Sequence, residues 1–206
     1  MARLKETSDS LSHPVVEAPH IAVPPSRRTA ADYAALGVAT CGVGLLPLAP
    51  GTWGSAVGVL LYAALLAGFD RARAAAALSY PAASEQTLQV AFTSALLLVI
   101  FLVCMAGTWA ATRCEKLLKR KDPGAVVIDE VAGQLITFLF VPGGARGWLM
   151  LAGFVAFRLF DTWKPYPINR LEALESGLGV MADDVLAGAY AATLVALLAA
   201  AQLLLS

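Results

Sequence analysis

The run Val90–Thr112 constrains this chain most, because along its whole length it carries neither a charge nor a proline. About 20 such residues suffice for a helix to cross the hydrocarbon core of a bilayer. Val185–Leu205 is a second uncharged run of similar extent, rich in Ala and Leu. Leu36–Phe69 is apolar but broken by Gly42, Gly44, Pro47, Pro50, Gly51 and Gly54, and its second half, Trp53–Phe69, reads as a helix. Val131–Val141 and Trp148–Phe160 flank Pro142-Gly143-Gly144, a turn signal between two helices. Ala and Leu dominate and β-branched runs are few, so helices are favoured over strands. The expected fold is all-α, a membrane bundle of four or five apolar helices. A composition of 58% hydrophobic and 15% charged residues agrees with that class and departs from the average soluble domain.

One segment leaves two arrangements open. A helix from Asp129 to Val141 would measure only about 20 Å. Starting it at Asp122-Pro123, with Asp as N-cap and Pro at the first position, lengthens it to about 28 Å and sets Asp129 and Glu130 two turns inside. A full span and a re-entrant hairpin both remain open for 123–160.

The segment 1–31 holds four Lys/Arg, three Asp/Glu, both histidines and four of the 11 prolines. Without an apolar run it is neither a signal peptide nor a span, and is expected to be a disordered polar tail before one domain over 32–206. Loops around 113–130 and 161–184 fall on one side of the membrane, with Arg113, Lys116, Lys119, Arg120, Lys121, Lys164 and Arg170. Loops around 70–89 and 142–147 carry only Arg71, Arg73 and Arg146. The first side is therefore expected to be cytoplasmic in a multi-pass protein of the cell (inner) membrane.

Fifteen basic and 15 acidic residues give zero net charge, so nothing suggests a nucleic-acid partner. Cys41, Cys104 and Cys114 form no CxxC pair, which leaves no zinc cage. Cys114 to Arg120 fits C-x5-R, but the intervening residues lack glycine and read as helix rather than a phosphate cradle. His13 and His20 lie in the tail, which argues against a phosphohistidine in the core and excludes a Ser–His–Asp triad there. No DxDx[TV] and no P-loop motif occurs.

Six of the twelve carboxylates beyond the tail, Asp122, Asp129, Glu130, Asp161, Asp183 and Asp184, lie at or near the expected cytoplasmic ends of apolar helices. Carboxylates there are costly unless paired, hydrated or metal-bound. Asp122 and Asp129, seven apart, are expected to share a helix face, as are Arg158 and Asp161, three apart. An oxygen-rich set of this kind suits Mg²⁺, which binds few carboxylates and keeps waters or substrate phosphate. Pro47–Ser55, Gly-rich and followed by a helix, is a candidate anion site through backbone N–H groups and the Thr52 and Ser55 hydroxyls. Helix-end caps and interfacial ion pairs are the plain alternative for any one of these residues. Together they point to metal-assisted chemistry on a phosphate at a membrane surface.

Four segments then resemble, in order, the motifs of the phosphatidylglycerophosphatase A family: Leu46–Ser55, Asp122–Gly133, Phe157–Ile168 and Gly177–Gly188. Leu46, Trp53 and the long tail depart from some relatives but touch no charged position. The resemblance implies an all-helical, Mg²⁺-dependent phosphatase that converts phosphatidylglycerophosphate in the membrane to phosphatidylglycerol and phosphate. It implies metal or catalytic roles for Asp129, Glu130, Asp161 and Asp183/Asp184, an acidic position at Asp122, and basic positions at Arg158 and Lys164. Gly51, Thr52, Gly54 and Ser55 would hold phosphate with Arg158 and Lys164, and Asp184 or Glu130 would be the general base. A phosphatase of another phospholipid or of a soluble phosphomonoester is the alternative, and a small transporter a more distant one.

Overall fold

The computed structural model describes residues 28–79, 84–141, 143–171, 174 and 176–205. Among these the regular structure is all helical, with no strand. The helices are α1 (Ala30–Thr40), α2 (Pro50–Ser79), α3 (Glu85–Leu118), α4 (Ile128–Thr137), α5 (Trp148–Trp163), α6 (Ile168–Leu171) and α7 (Ser176–Leu205). Three, α2, α3 and α7, are long and apolar enough to cross a membrane. At about 15 and 24 Å, α4 and α5 are shorter than a bilayer core.

Most of the expected tail, residues 1–27, lies outside the described residues. Its last residues, however, begin α1. Thr29 is the N-cap, and Thr29 and Asp32 form a reciprocal capping box. Arg113 Nε also donates to Asp32 Oδ1 at 2.7 Å, tying α1 to the last turns of α3.

The helix expected from Asp122-Pro123 does not form. A continuous helix needs the Val127 N–H on the Pro123 carbonyl. Instead Val126 N–H closes a tight turn onto Pro123 O at 2.8 Å, and Val127 N–H leaves for Ala39 O of α1, also at 2.8 Å. Asp122, just before that turn, has φ 43° and is not helical, so it shares no helix face with Asp129. α4 starts at Ile128, and Asp129 and Glu130 stand in its first turn. α2, by contrast, starts earlier than expected. Pro50 opens it, with Thr52 and Trp53 N–H groups on Ala49 O, so Gly51 to Ser55 are helical and not a loop.

α4 is the centre of the bundle: eight of its ten residues are buried. Glycine lets its neighbours reach its backbone. A Cβ on Gly188 of α7 would overlap the Gly133 carbonyl oxygen of α4, and one on Gly133 would overlap the Phe157 ring. On the opposite face, Gly54 and Gly58 of α2 lie against Val127, Glu130 and Gln134. Farther along, Tyr62 is fully buried, stacks on Phe138 at 4.5 Å and accepts the Ala145 N–H at 2.7 Å. The α4–α5 turn reaches the far end of α2 and α3. There Arg146 forks onto Asp70 at 2.8 and 2.9 Å, and Gly143 N–H donates to Gln89 at 3.0 Å.

Gly188→Val should lower stability by about 1–3 kcal/mol, because the clash is with backbone that cannot move aside. The thermal unfolding midpoint followed by helical circular dichroism checks this, and Gly68→Val, in open space, is the comparison.

Candidate active site

Two short sequence repeats set the geometry. Asp129 precedes Gly133 by four residues on α4, and Asp184 precedes Gly188 by four on α7. Residues four apart share a helix face, so the contact between the glycines brings the carboxylates together one turn away. Oxygens of Asp129, Glu130 and Asp184 lie within 4.8 Å of one another. Asp129 and Asp184 are buried, and Glu130 is partly so.

The other elements close around this trio. Arg158, one turn before the end of α5, donates to Asp161 Oδ2 at 2.6 Å, stands 4.0 Å from Glu130 Oε1 and reaches the Ser55 hydroxyl at 3.5 Å. Asp161 in turn lies in hydrogen-bond reach of Asp184. Gly51, in the first turn of α2, sits so close to Glu130 Oε1 and the Arg158 guanidinium that a Cβ there would collide with them. Ser55 is fully buried and gives its proton to Gly51 O at 2.9 Å. Thr52 is half-buried in the same turn. The hydroxyl of Ser55 is thus committed to the helix backbone, whereas the sequence suggested a loop donor.

Asp183 and Asp184 part company because adjacent helical residues point about 100° apart. Asp184 joins the trio, and Asp183 pairs with Lys164 Nζ at 2.7 Å. Lys164 caps α5 with φ 46°, which turns the chain back toward α7. Asp122 is exposed outside the trio, and its backbone N–H donates to Glu115.

Gln134 carries a signal the sequence reading missed. It follows Glu130 by one turn and is completely buried, yet neither end of its amide has a hydrogen-bond partner among the described residues. Glu130 Oε2 shares that condition. A polar residue inside an otherwise apolar helix, four after a carboxylate, was the visible cue.

Three carboxylates this close repel one another by about 3 kcal/mol per pair at the effective dielectric of a protein. Burial, then the charges of Glu130 and Asp184, push the Asp129 carboxyl well above the usual carboxylate range. Burial also raises Glu130, against the opposing pull of Arg158. One guanidinium, already bound to Asp161, cannot neutralise the set. A hard divalent cation fits it: the donors are all oxygens, buried, and close enough to share one ion.

The family described as phosphatidylglycerophosphatase A matches residues 37–199. A protein of Bacteroides thetaiotaomicron, provisionally named a phosphatidylinositol-3-phosphatase, is 37% identical over 156 residues, 75% of this chain and 86% of its own length. Phosphatidylglycerophosphatase A of Haemophilus influenzae is 34% identical over 160 residues, covering 75% and 81%. The Escherichia coli protein of the same name is 36% identical over 96 residues, covering 46% and 55%. No solved structure matches the chain.

Because the Asp129 pKa is raised by folding, its ionisation opposes the cation-free fold. The stability contributed by its protonated form is fully present below the ordinary carboxylate range and is lost as pH rises through the raised value. Asp129→Asn should therefore raise the neutral-pH unfolding midpoint of the cation-free protein by roughly 2–8 °C. A divalent cation, supplied as millimolar Mg²⁺ or Mn²⁺, should raise the midpoint of the unmodified protein and leave that of Asp129→Asn unchanged. Thermal melts with and without EDTA check both effects.

Proposed function

The chain belongs to the phosphatidylglycerophosphatase A family, and from that membership we propose that it hydrolyses phosphatidylglycerophosphate to phosphatidylglycerol and phosphate. It is a phosphatase enzyme with helices suited to a membrane. The observation that carries the reading is the buried trio Asp129, Glu130 and Asp184, beside a guanidinium and under the first turn of α2.

Asp129, Glu130 and Asp184 would hold Mg²⁺, with Asp161 next to them. When bound, the ion supplies Lewis acidity toward a phosphoryl oxygen and an attacking water. Arg158 would meet the equatorial phosphoryl oxygens, and Lys164 would add positive charge from the α5 cap. Gly51 and Gly54 allow the α2 N-terminus to approach this point, where its dipole favours an anion. Thr52 offers a hydroxyl, and Ser55 contributes by holding the Gly51 carbonyl. Water attacks phosphorus and yields its proton to Glu130 or Asp184. The bond from phosphorus to the glycerol oxygen breaks, and that oxygen takes up a proton. Asp183 would act by fixing Lys164, and Asp122 would add negative charge from the preceding turn.

Exposed Lys116, Lys119, Arg120 and Lys121 surround this end of the bundle, which favours a cytoplasmic active site in the inner membrane. The Bacteroides relative's name supports a second reading, hydrolysis of an inositol lipid phosphate.

Phosphate release from phosphatidylglycerophosphate and from phosphatidylinositol 3-phosphate, each with Mg²⁺ or EDTA, separates the two readings. The first substrate should be strongly preferred, and EDTA should abolish turnover. Asp129→Asn and Asp161→Asn should each lower kcat by about 10²-fold or more. Near-normal turnover in both would overturn the assignment.

A further inference from the structure

Between α2 and α5 lies an apolar cavity of about 450 Å³, walled by Ala56, Val59 and Leu60 of one helix and Met150, Leu151 and Phe154 of the other. Nothing in the hydrolytic chemistry uses it. Leu60 and Leu151 are 69% and 66% exposed, so it opens sideways, along a helix apolar enough to cross a bilayer. Its upper end adjoins the carboxylate site. Ala56 follows Ser55, which accepts from Arg158 Nη1 at 3.5 Å. Phe154 precedes Arg158 by one turn and shares its face of α5.

We propose that this groove holds one acyl chain of the phospholipid substrate while its phosphate is presented to Arg158. The inference rests on the lipid phosphatase reading and adds the place where the lipid is gripped. Charge and polarity are graded as such a molecule requires. The walls carry no charge, and the cation stands only at the head, where a phosphomonoester would lie. A lipid arriving sideways need not leave the bilayer, and its second chain stays in the surrounding lipid. A larger cavity, about 710 Å³ beside Asp32, Trp109 and Leu178, is lined by Arg113 and Lys116 but stands apart from the trio. Its Arg113 is held by Asp32 at 2.7 Å, and none of the trio lines it.

The test compares phosphate release from dioleoyl and dihexanoyl phosphatidylglycerophosphate by the unmodified protein, Ala56→Phe, Phe154→Ala and a lipid-facing control, Leu98→Phe. Leu98 is 59% exposed on α3. Filling the groove with Ala56→Phe should raise the ratio of long-chain to short-chain KM roughly tenfold, and removing a wall with Phe154→Ala roughly threefold. Leu98→Phe should match the unmodified protein on both substrates. Thermal melts identify a variant that fails to fold, and the other variant then decides the test. An unchanged ratio overturns the groove assignment and leaves the phosphatase reading intact. Release from neither substrate by the unmodified protein overturns that reading, and the groove assignment falls with it.

Discussion

The site depends on one backbone contact, that of Gly133 with Gly188, where α4 and α7 meet without intervening side chains. Helix axes normally stand about 8–10 Å apart, depending on the residues at the crossing. Small residues allow the closest approach, and in an apolar solvent such packing is a main source of helix association. The same contact fixes how far apart Asp129 and Asp184 can be. Dispersion and sterics, not electrostatic attraction, hold two like charges at this separation. Gly54 and Gly58 of α2 complete the clamp on the other face of α4 and bring Glu130 under the first turn of α2.

Stability and chemistry are thereby assigned to neighbouring positions on the same helices. The glycines and the buried rings of Tyr62, Phe138 and Phe157 supply close packing. The carboxylates, one turn away, oppose it through desolvation and mutual repulsion. Arg158 binds Asp161, and Lys164 binds Asp183. Among the described residues, the trio itself has no cation at hydrogen-bond distance; the nearest approach is the 4.0 Å between Arg158 and Glu130. A chain with few charges overall has concentrated an uncompensated excess at one point.

The apolar runs made α3 and α7 legible, because an uncharged stretch long enough to cross a bilayer has few alternatives. The beginnings of α2 and α4 were not. Pro50 looks like a helix breaker, yet at the first helical position it costs no hydrogen bond. Asp122-Pro123 looks like a good start, but Val127 N–H is taken by Ala39 of α1, a partner remote along the chain. Local signals cannot register such a partner. The site was legible as a set of acids but not in its divisions. Asp183 and Asp184 are indistinguishable until Lys164 is placed, and Asp122 stood with Asp129 only on a helix that does not exist. The paired Asp-x-x-x-Gly spacing was in view throughout; it acquires meaning only once α4 and α7 are known to cross.

The α4–α5 hairpin is fastened at both ends, by Val127 to Ala39 at one and by Arg146 to Asp70 at the other. These fastenings tie the start of the hairpin to α1 and its turn to α2. The turn is thus held by an exposed ion pair that added salt weakens, whereas the start is held by a backbone hydrogen bond that salt leaves in place.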